Sequence, residues 1–132
     1  MSDPSTASRE TYAASPDIFV TFKVAGLHCW PGAPDHRGYL RVPHRHQFGV
    51  RIETIVRHDD REIEFHDLRD RGLDLLRALA AGDGELLNFG PKSCEMIARD
   101  LGAELAAIFE RSFRVTVDED GECGATVETV FA

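Results

Sequence analysis

The sequence predicts an α+β fold in which an antiparallel sheet carries two helices packed on one face. Residues 18–24, 47–57, 113–118 and 125–131 place apolar side chains at alternating positions, a pattern typical of strands with one buried face. Residues 67–109 instead place them three and four positions apart, which is typical of amphipathic helices. Because strands and helices form separate blocks and do not alternate, the pattern disfavours a parallel sheet with crossover helices.

The composition limits the classes of function. A chain of 132 residues fits one domain, and its net charge of −8 argues against binding to the nucleic-acid backbone, which needs a basic surface. Three cysteines are too few and too dispersed for a disulfide framework, which favours a reducing compartment. The sequence contains neither an apolar run long enough to span a membrane nor a signal-peptide core. We therefore expect a cytoplasmic protein without nucleic-acid or membrane partners.

The N-terminal part of the chain predicts an arm, a strand and a loop. Residues 1–17 are rich in Ser, Thr, Ala and Pro and predict a flexible arm before a domain of residues 18–132. The first strand is predicted over residues 18–24. A loop rich in Pro and Gly then extends to residue 43. Trp30 in this loop either stacks on a planar ligand or only anchors the loop.

Three histidines flank this loop. His44 and His46 precede the second predicted strand, residues 47–57, and residues two apart point to the same face of a strand. His28 follows the first strand, so two strand ends bring three imidazoles together. Such a set predicts a metal site whose fourth position is open to water or substrate, as in catalytic zinc sites. The alternative is an exposed His-x-His pair that binds no metal.

The middle of the chain predicts a hairpin and then a helix. A polar turn at residues 58–61 leads into a short third strand, residues 62–65. Asp67 is the predicted cap of the first helix. That helix ends at residues 80–84, where two glycines interrupt the apolar pattern.

The C-terminal part predicts a second helix and a hairpin. The helix starts near residues 91–93, with Ser93 as its cap. Its predicted buried stripe consists of Cys94, Ile97, Ala98, Leu101, Leu105, Ile108 and Phe109. The last two strands, residues 113–118 and 125–131, flank an acidic turn at residues 119–124.

Five short motifs occur in order along residues 18–127. They are His28, His44-Arg45-His46, Glu64-Phe65-His66-Asp67-Leu68-Arg69, Lys92-Ser93-Cys94-Glu95 and Val117-Asp118-Glu119. This series resembles the 6-pyruvoyl-tetrahydropterin synthase and 6-carboxy-tetrahydropterin synthase family, whose subunit has the tunnelling fold. The resemblance implies Zn²⁺ held by His28, His44 and His46, and an oligomeric barrel of identical subunits, with a hexamer favoured.

The resemblance also implies a function and a set of ligand-binding residues. The implied function is a zinc-dependent lyase acting on a dihydroneopterin-triphosphate-like or related purine or pterin substrate, in a 7-deazapurine (queuosine-type) or biopterin-like pathway. Glu119 matches the family's ring-anchoring Glu, and a carboxylate can accept two parallel hydrogen bonds from such a ring edge. Glu95 is a candidate support for the same ring. The alternatives are a solvated turn acid at Glu119 and, at Glu95, an acid that only complements the helix dipole.

The sequence departs from the family at its proton-transfer residues. Leu40 stands where the family has a Cys, and the family's Leu-Asp-His segment is absent. Cys29 is the candidate catalytic substitute, because a thiol close to zinc has a lowered pKa. The alternative is a loop thiol turned away from the metal. The departures leave a second function open, a non-catalytic purine- or pterin-binding protein that kept the fold and the metal, and a third, a metal-stabilised oligomeric scaffold.

Overall fold

Five strands form one sheet in the computed structural model, which describes residues 15–82 and 84–132. The strands are β1 (Asp17–His28), β2 (His44–Ile55), β3 (Leu86–Asn88), β4 (Phe113–Glu119) and β5 (Cys123–Thr129), and the α-helices are α1 (Phe65–Leu79) and α2 (Cys94–Phe109). The sheet order is β3-β1-β2-β4-β5, and all neighbours are antiparallel except β3, which runs parallel to β1. The predicted α+β architecture is confirmed, with one parallel strand at an edge.

The two helices pack against the sheet and form a single core with it. α1 contacts β1, whereas α2 contacts β4, β5 and α1. Fully buried core side chains include Phe48, Ile52, Leu68, Leu76, Leu101, Leu105 and Val115. Burying a side chain of this size contributes about 1.5–3 kcal/mol relative to leaving it exposed. The core therefore fixes the central strands, which carry the candidate site at one end.

β1 and β2 extend further towards the predicted site than the sequence indicates. β1 continues to His28 and β2 begins at His44, and the strand register pairs these two residues directly. Gly26 is paired with His46 in the same register, and a Cβ atom at Gly26 would lie 2.9 Å from the rings of Phe48 and Phe89. Only glycine allows these two aromatic rings to pack so close to the strand. The loop between the strands contains a 3₁₀ helix, Asp35–Arg41.

The predicted third strand, residues 62–65, is wrong. Glu64 instead caps α1, because its carboxylate accepts hydrogen bonds from the backbone N–H groups of His66 (2.9 Å) and Asp67 (3.0 Å). The first N–H groups of a helix lack partners within the helix, and this cap satisfies two of them. α1 therefore begins at Phe65, and Asp67 lies inside its first turn. The sequence also missed β3, whose three residues are too few to show an alternating pattern.

The predicted start of α2 is confirmed. The Ser93 hydroxyl accepts a hydrogen bond from the backbone N–H of Met96 at 3.2 Å, as an N-cap does. One member of the predicted buried stripe, Ile108, is not buried, since it is 42% exposed. Phe109, the last predicted member, packs on Phe113, and their ring centroids are 5.6 Å apart.

The first 14 residues of the predicted arm lie outside the described residues, whereas Asp17, also assigned to the arm, belongs to β1. Among the described residues, no helix is both long enough and apolar enough to cross a membrane.

Candidate metal centre

The three predicted histidines lie together at one end of the sheet. His28 ends β1, His44 begins β2 opposite it, and His46 is two residues further along β2. Ring centroids are 4.6 Å apart for His28 and His44, 5.1 Å for His44 and His46, and 5.3 Å for His28 and His46. One nitrogen from each ring lies within 4.8 Å of the others. The strand pleat and register therefore bring three nitrogen ligands to one place.

Each ring is oriented by a hydrogen bond from its Nδ1 atom. Nδ1 of His28 lies 2.9 Å from the carbonyl oxygen of Lys92, and Nδ1 of His44 lies 3.0 Å from that of Val42. Nδ1 of His46 lies 2.7 Å from a carboxylate oxygen of Asp120. All three oxygens can only accept, so each Nδ1 carries a proton, and Nε2 is the ring nitrogen that remains for a metal. Histidines that bind metals are held by this kind of outer hydrogen bond.

His28 has a buried nitrogen that is suited to hold a metal ion. Its side chain is buried, and its Nε2 atom has no hydrogen-bond partner. A buried polar atom without a partner costs about 1–3 kcal/mol. Burial is also the main cause that lowers the pKa of His28, which favours the neutral ring that metals bind. The donor set fits Zn²⁺, for which imidazole nitrogen is a common ligand.

Glu119 directs its carboxylate into the same cluster. One oxygen, Oε2, lies 3.1 Å from Nε2 of His28, and the other, Oε1, lies 3.6 Å from Nε2 of His46. Glu119 is the last residue of β4 and is paired with Phe48 on β2. Paired residues share a face of the sheet, so Glu119 points to the side occupied by the histidines. The sequence placed Glu119 in a turn, whereas the sheet holds its backbone.

Two thiols contact the Glu119 carboxylate. Sγ of Cys94 lies 3.8 Å from Oε2, and Sγ of Cys123 lies 3.9 Å from Oε1. Desolvation, followed by the negative charge of Glu119, raises the pKa of Cys94 to about 12. The same two causes, in the same order, raise the pKa of Cys123. Cys94 belongs to the core, as the sequence predicts, but it also lines the cleft described next.

A cleft of about 550 Å³ opens beside the cluster. Its lining includes the predicted ligand-binding and catalytic residues Trp30, Glu95, Glu119 and Cys29, together with His28, His44, Leu40 and Cys94. Trp30 is 51% exposed, and its backbone N–H donates to the carbonyl oxygen of Leu40 at 2.7 Å, which closes the loop over this end of the sheet. The structure therefore brings every predicted site residue to the cluster or to its cleft.

The sequence did not indicate the residues that orient the histidines. Asp120 and the Lys92 carbonyl group lie 74 and 64 residues from their histidine partners. No local spacing pattern connects residues so far apart. Asp120 has a backbone φ of 58°, a left-handed conformation that Asp tolerates better than most residues, and its place in a hairpin turn was the one available signal.

Comparisons with known proteins identify the fold. No family model matches the chain, and a search of curated proteins finds no match. Among solved structures, 6-pyruvoyl tetrahydropterin synthase from Plasmodium falciparum superposes with a TM-score of 0.59 at 14% sequence identity, over 89% of this chain and 99% of that chain. An uncharacterized protein from Wolinella succinogenes gives a TM-score of 0.62 at 16% identity, over 87% and 98%.

A third similar structure is a Plasmodium vivax 6-pyruvoyltetrahydropterin synthase in which a catalytic residue, a glutamate, is replaced by alanine. It has a TM-score of 0.59 and 15% identity, and covers 89% of this chain and 99% of that chain. At these identities the likeness establishes the fold, and the predicted resemblance to the 6-pyruvoyl tetrahydropterin synthase fold is confirmed.

Proposed function

We propose that this protein is a zinc-dependent enzyme of the pterin pathway, of the 6-pyruvoyl- or 6-carboxy-tetrahydropterin synthase type. Its substrate is a dihydroneopterin-triphosphate-like or related purine or pterin compound. The observation that carries the proposal is a cluster of three histidines beside a cleft of about 550 Å³. Each ring forms its hydrogen bond through Nδ1, which leaves Nε2 available for a metal. A cleft of this volume lies in the range of small-molecule sites.

The residues have distinct roles. His28, His44 and His46 would hold the ion, which would supply Lewis-acid chemistry for polarising substrate oxygens. Glu119 and Glu95, both lining the cleft, accept hydrogen bonds from the N–H groups of the ring. Trp30 supplies an exposed aromatic surface on which a planar ring can stack.

Cys29 is the proposed proton carrier. It lines the cleft next to His28, whereas Cys94 and Cys123 have raised pKa values and stay protonated near neutral pH. Leu40 stands where the family has a Cys, and the Plasmodium vivax protein shows that catalytic residues on this fold include a glutamate. We also propose that the protein works in a reducing, cytoplasmic compartment as a homo-oligomer, with a hexamer favoured.

Turnover tests the proposal. The zinc-loaded protein is incubated with dihydroneopterin triphosphate, and the products are followed by mass spectrometry. We expect consumption of the substrate by the wild type, a loss of at least about 100-fold in Cys29→Ser, consistent with the usual contribution of general acid–base catalysis, and normal rates in His66→Ala, whose exposed side chain lies outside the cluster. Tight binding without consumption would instead favour the alternative function, a non-catalytic purine- or pterin-binding protein.

Metal analysis tests the ligand assignment separately. His28→Ala and His44→Ala should each bind less zinc than the wild type, while His66→Ala, whose side chain is 75% exposed and outside the cluster, should retain it. Full zinc content in both ligand variants would show that the assignment is wrong.

A further inference from the structure

We infer that Glu119 is the fourth ligand of the metal ion held by His28, His44 and His46. The protein without substrate then has a closed site, and any exogenous ligand reaches the metal only by displacing a carboxylate of the protein itself. This inference rests on the metal binding proposed above. It adds a fourth protein ligand and the requirement that this ligand leave the metal before a substrate can bind to it.

The carboxylate lies close to two of the three histidines. In a tetrahedral zinc site with bonds of about 2.0–2.1 Å, any two ligand atoms lie roughly 3.3 Å apart. Oε2 of Glu119 is 3.1 Å from Nε2 of His28, and the other oxygen, Oε1, is 3.6 Å from Nε2 of His46. Each oxygen is thus near ligand spacing from one histidine, and binding of the ion through a single oxygen would require a rotation of the Glu119 side chain.

A hydrogen bond does not account for the contact with His28. The Nδ1 atom of His28 donates to the carbonyl oxygen of Lys92, which leaves Nε2 as the ring nitrogen that faces Glu119. Nε2 is buried and has no hydrogen-bond partner, although Oε2 lies only 3.1 Å from it. The two atoms are therefore close to each other without a hydrogen bond between them. A metal ion is a cation that suits both atoms.

The charge of Glu119 also lacks a side-chain cation. Among the described residues, the polar side chains in contact with its carboxylate are His28, His46 and the thiols of Cys94 and Cys123. The side chain is only 27% exposed. Lys92, which lines the same cleft, directs its ammonium group to Asp100 at 2.7 Å. A carboxylate with so little exposure and no Lys or Arg partner among the described residues is costly, and a bound metal would neutralise it.

The backbone holds Glu119 in this place. Its pairing with Phe48 on one side and Cys123 on the other fixes the end of β4 between two strands. A site built on paired strands is held more rigidly than one built on a loop. This pairing fixes the backbone and not the side-chain torsions, so a substrate that took the metal's fourth position would release the carboxylate into the cleft. Glu119 would then have two successive partners, the metal and the ring.

Cobalt substitution tests the inference without a substrate. Co²⁺ is loaded into the wild type, Glu119→Ala, Glu119→Gln and Glu122→Gln, and visible absorption is recorded while azide is added. Glu122→Gln removes one charge from the adjoining turn, outside the cluster, and serves as the matched control. We expect azide to change the spectra of both Glu119 variants at concentrations at least tenfold below those needed for the wild type and the control. Zinc affinity, measured by chelator competition, should fall by at least about tenfold in Glu119→Ala. A loss of about tenfold is already seen when a residue that only hydrogen-bonds a metal ligand is removed, and Glu119 is proposed to bind the metal directly.

The outcomes separate this inference from the metal site itself. A cobalt-loaded wild type that takes up azide as readily as both Glu119 variants overturns the fourth ligand and leaves the three-histidine site intact. A folded wild type that binds neither Co²⁺ nor Zn²⁺ overturns the site and the inference together. Since Gln preserves the shape of Glu, the Glu119→Gln result remains decisive if the Ala variant does not fold.

Discussion

Asp120 connects the last hairpin to the histidine cluster. Its Oδ2 atom lies 2.7 Å from Nδ1 of His46, and its Oδ1 atom accepts a hydrogen bond from the backbone N–H of Gln47 at 2.8 Å. Both hydrogen bonds lower the pKa of Asp120, with that from Gln47 the larger cause. One carboxylate therefore fixes the ring orientation and tautomer of a proposed metal ligand.

Replacing Asp120 by Asn should weaken metal binding without unfolding the protein. Asn tolerates the left-handed backbone at this position, where φ is 58°. It offers one acceptor oxygen in place of two, so either His46 or the N–H of Gln47 loses its acceptor. We expect the zinc affinity to fall by about 10–100-fold, the usual effect of losing an outer-shell partner. Chelator competition measures it.

The control for this variant is Glu122→Gln, which removes a charge from the same turn but contacts no histidine. Equal losses of affinity in Asp120→Asn and Glu122→Gln would show that net charge near the site, and not orientation of His46, determines the effect.

Glu62 joins the ends of three elements. Its carboxylate forms a two-bond ion pair with Arg111 at 2.8 and 3.0 Å and contacts the Arg57 guanidinium at 2.7 Å. Arg57 follows β2, Glu62 precedes α1, and Arg111 follows α2. The hydrogen bond from Arg111, followed by that from the backbone of Arg57, lowers the pKa of Glu62 from 4.5 to about 2.

The lowered pKa predicts a pH-dependent contribution to stability. A carboxyl group that is more acidic in the folded protein stabilises it above its unfolded pKa, and the contribution disappears as the pH falls through the folded value. Glu62→Gln should therefore lower the Tm at pH 7, and the difference from the wild type should shrink between pH 4.5 and about 2. Thermal unfolding followed by circular dichroism measures both. The control is Glu104→Gln, at an exposed position on α2, which should have the Tm of the wild type both at pH 7 and in the acidic range. A Tm difference between Glu62→Gln and the wild type that does not change with pH would contradict this explanation.

The elements differ in how far the sequence could predict them. Strict alternation predicted β1 and β2, and the parity of His44 and His46 placed both rings on one face because the pleat allows no other outcome. The strand predicted at residues 62–65 is wrong because the Glu64 carboxylate caps α1 by accepting hydrogen bonds from its first N–H groups. The alternation of apolar residues gives no information about such a cap. The contacts of Glu119 with His28 and Cys94 depend on β4 lying next to β2 and on α2 packing over them. Such pairings join residues that are distant in the sequence. Local patterns could therefore predict the histidine ligands but not the residues that contact them.

The whole sheet leaves one face and the β5 edge without partners among the described residues. The outward face carries charged and polar side chains, including the Arg51 guanidinium stacked 3.8 Å from the Phe19 ring centroid and an ion pair of Arg51 with Glu53. β5 has β4 as its single neighbour, whereas β3 pairs with residues 25–27 of β1 and forms a bridge with Ala81 through Asn88. Unpaired strand edges favour pairing with another chain, and closing a barrel removes them.

Assembly should therefore protect the backbone of β5. If β5 pairs with a second copy of the chain, its amides that point away from β4 exchange with solvent slowly in the oligomer and rapidly in a dilute monomer. We expect sedimentation to give a multiple of 14.7 kDa, with sixfold favoured, and hydrogen exchange to show concentration-dependent protection in residues 123–129. Residues 114–119 of β4, paired on both sides within one chain, serve as the internal control because their protection should not depend on concentration. A monomer at all concentrations, or an oligomer in which β5 exchanges as fast as in the monomer, would contradict assembly through this edge.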